Sequence, residues 1–153
     1  MFLSKEIFST VIENSPLVSI DLVIKNTQGQ ALLGKRINKP AQDYWFVPGG
    51  RILKDESLAS AFKRLTKAEL GQDFSIDQAT LLGPYDHFYT DNVFGDSFST
   101  HYVAIAYVLT IEEPLTSLPI GDQHDGYQWV DITSIKAEKS VHKHTLCYFE
   151  IIK

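Results

Sequence analysis

The chain holds a single cysteine, Cys147, so no intrachain disulfide can form. That fits a reducing compartment. Cys147 lies in a Tyr/Phe/Leu-rich stretch and reads as a packing residue, because free cysteine is usually buried. Positive charge is also short. Against 19 Asp and Glu stand 14 Lys and Arg, for a formal net charge of −5. A mildly acidic chain is a poor coat for a nucleic-acid backbone, which demands clustered cations, so no nucleic-acid partner is expected. Small anionic ligands stay in reach, since they need only a few local cations. No apolar run approaches the ~18 residues that span a bilayer. Met1-Phe2-Leu3-Ser4-Lys5-Glu6 has no basic segment ahead of a long apolar core. Neither a signal peptide nor a membrane partner is expected, and the chain is expected to be cytoplasmic. Repeats and low-complexity segments are missing as well.

What is present suits one folded domain over 1–153. Hydrophobic residues make up 44% of the 153, enough for a sizeable core. Ser4 is placed to cap a helix over 5–13, which Pro16 ends. The branched run 17–24 reads as a strand, Asn26-Thr27-Gln28-Gly29-Gln30 as a turn, and 31–36 as the returning strand of a hairpin. Residues 44–47 read as a strand before Pro48-Gly49-Gly50. The clearest helix is 57–70: Leu58, Ala61, Phe62, Leu65 and Ala68 recur at helical spacing, with Ser57 or Asp55 as cap and Gly71 as terminator. Strands follow at 81–89, bent at Gly83-Pro84, at 101–111 and at 127–130, with a final helix over about 140–151. This order predicts an α/β fold, a mixed sheet covered by helices.

Chemistry concentrates where a glycine pair meets the helix. Gly49-Gly50 allows close backbone approach to a ligand, and a loop-to-helix junction offers N–H groups to anions. Arg51, Lys54 and Arg64 supply charge, and Glu69 is a hard carboxylate on the same helix. Together these suit a Mg2+–phosphate complex, in which the metal keeps several waters. A helix with a solvated charged face is the competing reading of the same spacing.

The run Gly50-Arg51-Ile52-Leu53-Lys54-Asp55-Glu56, seven further residues, then Arg64-Leu65-Thr66-Lys67-Ala68-Glu69-Leu70-Gly71 resembles the Nudix box. Gly50, Glu56, Arg64, Glu69 and Gly71 match it. Leu65 and Ala68 stand where that family has glutamates, and Thr66 replaces an aliphatic residue. These departures resemble one branch, the GDP-mannose mannosyl hydrolases. So do Pro16-Leu17-Val18-Ser19, Leu33-Gly34-Lys35-Arg36, Tyr44 to Arg51, Thr100-His101-Tyr102-Val103 and Gln123-His124-Asp125. The resemblance covers nearly the whole chain and implies a Nudix-type α/β/α sandwich. It also implies hydrolysis of GDP-mannose, or GDP-glucose, to GDP and free sugar by inverting water attack at the anomeric carbon. One Mg2+ per site is implied, with Mn2+ as a substitute, as is a homodimer in which N-terminal segments and the Arg36 region contribute across the interface.

By the same resemblance, the Gly49 carbonyl, the Glu69 carboxylate and the Gln123 side-chain oxygen hold the metal. All are oxygen donors, as Mg2+ prefers. Arg36, Arg51 and Arg64 face the diphosphate, since the arginine fork pairs with phosphate oxygens. His124 is the general base, having an imidazole that titrates near neutral pH. Asp21 interrupts an apolar strand, which points to a polar site or to an exposed strand edge. Tyr102 is either a phosphate donor or a structural tyrosine. His87 is either a substrate contact or a hydrogen-bonded core histidine. His101 is expected on the face opposite Tyr102, and His142 and His144 read as surface residues. An N-terminal aromatic such as Phe8 either stacks on the guanine or packs on its own sheet. The rival activities are a Nudix pyrophosphatase making GMP and sugar 1-phosphate, and a non-catalytic nucleotide-sugar sensor.

Overall fold

The computed structural model describes residues 2–116, 118 and 124–152, the side chains of residues 124 and 125 excepted. Strand β1 (Leu17–Lys25) runs through the middle of its sheet. Its sequence is apolar on both faces, so both faces need cover. Ile20, Leu22 and Ile24 pack on one side with Phe62 and Leu65 of helix α2 (Leu58–Leu70). Val23 packs on the other with Ile135, Tyr148 and Phe149 of the C-terminal segment. Asp21 belongs to that second face by the two-residue period of a strand.

β1 pairs in parallel with β6 (Thr100–Thr110), from Leu17↔Tyr102 to Lys25↔Thr110. β5 (Thr80–Tyr89) lies antiparallel beyond β6, with a register shift between Leu81 and Gly83 where a bend was expected. The sheet order is β3-β2-β1-β6-β5, where β2 is Gln30–Arg36 and β3 is Trp45–Phe46. β4 (Gly49–Arg51) pairs with β1, and β7 (His124–Asp131) pairs with β2. A mixed sheet between helical layers, the fold class expected from the sequence, is therefore observed.

The expected hairpin closes only at its turn. Asn26 Oδ1 accepts from the N–H groups of Gln28 and Gln30, both at 3.0 Å, and Lys25 pairs with Ala31. Farther on, β4 takes the free edge of β1, pairing Ser19↔Arg51 and Asp21↔Gly49. The two strands splay, and a space opens between them.

Helix α1 (Lys5–Asn14) is capped by Ser4, whose side chain accepts from the Ile7 N–H. In α2 the cap is Ser57, and Gly71, at φ +83°, ends the helix with its N–H on the Lys67 carbonyl. The expected helix over 140–151 is broken up. Trp45 N–H donates to the Ser140 carbonyl and His142 N–H to the Trp45 carbonyl. Residues 140–142 are thereby held extended against β3. Only α3 (Lys143–Leu146) is α-helical, followed by a tighter turn at Cys147–Glu150.

Candidate active site

A cavity of about 310 Å³ opens at the splayed end of the sheet. Residues singled out in the sequence line it, among them Phe8, Asp21, Arg36, Gly49, Gly50, Arg51, Arg64, Leu65, His87 and Tyr102. Strand register explains how distant positions meet. Leu17 and His87 both pair with Tyr102, so β1, β6 and β5 turn Asp21, Tyr102 and His87 to one face. His101 does not line this cavity; it lies beside Asp86 and stacks on Phe88.

Gly49 is where backbone approaches backbone. A Cβ there would collide with the Ile20 carbonyl oxygen and stand 2.8 Å from Asp21 Oδ1. Gly50 is closed from below, since a Cβ there would lie 2.6 Å from Leu65 Cδ2. Leu65 is buried in the α2-side core and Ala68 is exposed. Neither of these two positions, where the box has a glutamate, offers a carboxylate here.

Arg64 is committed to the loop ahead of its helix. Its Nε and Nη2 donate to Glu56 at 2.7 and 2.9 Å, and Nη2 also donates to the Arg51 carbonyl. Glu56 accepts from the Leu53 N–H as well. The Arg64 hydrogen bonds hold the Glu56 carboxyl far down, at about 2. This clasp gives the loop its shape, and it leaves Arg64 on the cavity wall.

Arg36 and Arg51 are disposed differently. The Arg36 guanidinium lies 5.6 Å from the Phe46 ring centroid, and its buried Nε has no hydrogen-bond partner among the described residues. Such a donor is costly to leave unmatched, which suits an anionic ligand. Arg51 sits 4.7 Å over the Phe8 ring, and Phe94 meets that ring edge-on. Phe8 is thus at the cavity, with one face under a cation.

Asp21 is largely buried. Burial pushes its carboxyl up to about 6, against the pull of the Tyr148 hydrogen bond and of Arg36. Tyr102 and Tyr89 are pushed up by burial too, so both phenols stay protonated at neutral pH and remain hydrogen-bond donors. Tyr89 went unnamed in the sequence reading, although it stands two residues beyond His87 and the strand period puts both on one face.

Glu69 is buried on α2, and Tyr127 Oη donates to its main-chain carbonyl. It is not a cavity-lining residue. Gln123 lies outside the described residues. The backbone of His124 pairs with Arg36 across β7 and β2. No three His, Cys, Asp or Glu side chains gather as a metal cage among the described residues. A carbonyl at a close-packed glycine and one buried carboxylate are hard donors, and they fit Mg2+ with few protein ligands rather than a soft metal.

Behind the cavity, His142 and His144, expected at the surface, are half-buried. His144 stacks on His87 at 4.4 Å, and His142 on Phe46 at 4.7 Å. The strap that breaks the C-terminal helix is what folds them inward. Burial raises the Cys147 thiol to about 11, which keeps it protonated and inert, as a packing residue should be. No helix among the described residues is long and apolar enough to cross a membrane.

A family model described as NUDIX domain matches residues 15–149. The chain is 40% identical over 117 residues, 76% of its length, to the low-salt glycan biosynthesis protein Agl8 of Haloferax volcanii, 72% of which is covered. Among solved structures it resembles a MutT NUDIX hydrolase from Burkholderia pseudomallei, with a TM-score of 0.73 at 24% identity, covering 92% of this chain and 100% of that one. It also resembles the NUDIX domain of Shewanella oneidensis NrtR complexed with ADP ribose, with a TM-score of 0.66 at 18% identity, covering 97% and 96%. At such identities these two structures report the fold.

Proposed function

This chain belongs to the Nudix hydrolase family, and we propose that within it the chain is a Mg2+-dependent hydrolase of GDP-mannose, with GDP-glucose as second substrate. It releases GDP and the free sugar. The observation that carries this reading is Leu65. Where the box has a glutamate, a buried leucine packs under Gly50 at the cavity wall. Without that carboxylate and the one replaced by Ala68, the water-activating metal cluster of a pyrophosphatase has too few ligands. Attack at the sugar carbon demands less of the metal site. The glycan-biosynthesis name of the Haloferax relative agrees with a sugar-nucleotide substrate.

In this reading Gly49, Glu69 and Gln123 hold one Mg2+, for which Mn2+ substitutes. When bound, the metal supplies charge against the departing diphosphate. Arg36 and Arg51 bind the same oxygens, Arg36 through its unpartnered Nε. Arg64 acts mainly through the loop it clasps. His124 takes a proton from water as the new C1–O bond forms on the face opposite the leaving group. The old C1–O bond breaks, and its electron pair leaves on the β-phosphate oxygen of GDP. The backbone pairing of His124 with Arg36 supports placing base and cation at one end of the sheet. Asp21, His87 and Tyr102 contact the sugar or leaving group, and Phe8 borders the base. A cytoplasmic homodimer is the assembly proposed. An assay of purified protein with GDP-mannose and Mg2+, read for free mannose against mannose 1-phosphate, tests the reading; sugar phosphate as the product contradicts it.

A further inference from the structure

We propose that Tyr148 is a positioning residue of this site: its phenol bridges Asp21 and His87 and fixes both from behind the cavity wall. The proposal rests on the reading of this cavity as the substrate site. Tyr148 does not line the cavity and is fully buried. Its Oη donates to Asp21 Oδ2 at 2.5 Å and lies 3.3 Å from His87 Nε2. Both neighbours line the cavity, one from β1 and one from β5.

A phenol has one proton, and here Asp21 takes it. Towards His87 the Tyr148 oxygen presents a lone pair, so Nε2 must be the protonated nitrogen of the imidazole. Burial and the neighbouring His144 and His142 hold His87 well below its ordinary value, at about 3, so it is neutral and carries one N–H. Its Nδ1 lies 3.9 Å from Asp21 Oδ2, too far for a hydrogen bond. With Oδ2 tied to Tyr148, the other oxygen, Oδ1, is the one on the Gly49 side. One hydroxyl thus selects the tautomer of one wall residue and the carboxylate orientation of another.

The bridge is itself held. Tyr85 meets the Tyr148 ring edge-on at 4.8 Å. His144 stacks on His87 within 8° of parallel and lies 3.0 Å, Nε2 to oxygen, from the Phe88 carbonyl, to which it donates. Thr145 Oγ1 accepts from the N–H of Val47, a cavity residue, and so pins the segment carrying Tyr148 to the strand side of the site.

The test compares the full-length chain with Tyr148→Phe, which keeps the buried ring and removes the hydroxyl. Imidazole 15N correlation spectra at neutral pH, without metal or substrate, report the tautomer of His87, assigned by its loss in His87→Gln. The wild type is expected to show Nε2–H and a bare Nδ1, and the variant to lose that preference. Its kcat on GDP-mannose is expected to fall about tenfold with KM nearly unchanged, the scale of one hydrogen bond to a charged group. An Nδ1–H tautomer in the wild type overturns the proposal, whether or not the variant folds. An unchanged tautomer or an unchanged kcat in a folded variant overturns it too. A wild type that does not hydrolyse GDP-mannose overturns the functional reading instead, while the spectra still decide whether the bridge exists.

Discussion

Leu65 lies directly beneath Gly50, so close that a methyl group on the glycine would stand 2.6 Å from the leucine Cδ2. An apolar side chain has taken the place from which the usual Nudix box presents a carboxylate. The leucine fills the space under the loop and, unless it shifts, leaves no room for a side chain at Gly50.

The two adjacent glycines differ in what they meet, and that yields a stability order. Gly50→Ala meets the end of a leucine side chain that can shift, at a cost of about 1 kcal/mol. Gly49→Ala meets the Ile20 carbonyl and Asp21, backbone that cannot shift without opening β1 from β4, and its cost is about 3 kcal/mol. Urea unfolding of both variants checks the order, and an equal or reversed loss contradicts it.

The clasp between Glu56 and Arg64 predicts an acid-dependent loss of stability. The Glu56 carboxyl titrates at about 2 in the fold against an ordinary 4.5. Its contribution is therefore fully present above pH 4.5 and is lost as pH falls towards 2. Glu56→Gln should be less stable than wild type at neutral pH, with the gap closing below pH 4.5. Unfolding measured across that range reads it.

Asp21 has the opposite sign. Its folded value of about 6 lies above the ordinary 3.8, so its proton stabilises the fold below 3.8 and the charged form opposes it above 6. Metal-free Asp21→Asn should therefore be more stable than wild type above pH 6, by up to about 3 kcal/mol in urea unfolding, and equally stable below pH 4. Its turnover should fall at the same time, a trade of activity for stability.

His124→Gln should lower kcat by about 10²-fold or more while leaving the melting temperature unchanged, the scale of losing a general base. A loss under about threefold removes His124 from that role.

The strands and α2 were legible because each carries a clear local signal. Leu58, Ala61, Phe62 and Leu65 recur at helical spacing, and Ser57 and Gly71 close the ends. Asp21 betrayed the cavity by breaking an apolar strand. Tyr148 gave no such sign: a tyrosine among Cys147 and Phe149 reads as core, and only the packing of the C-terminal turn behind β1 and β5 reveals what its hydroxyl does. The broken final helix escaped for a similar reason. Residues 140–142 have helical neighbours, but hydrogen bonds to Trp45, nearly a hundred positions away, outweigh local preference. Glu56 and Arg64 both stood out as matches to the box-like pattern, but that their side chains clasp each other across eight residues is visible only in the structure.

Whether the sugar carbon or phosphorus is attacked decides the account. Hydrolysis of GDP-mannose with Mg2+ in 18O-water, followed by mass spectrometry of both products, measures it directly. The label is predicted in free mannose, with GDP unlabelled. Label in GMP or in mannose 1-phosphate would contradict the account.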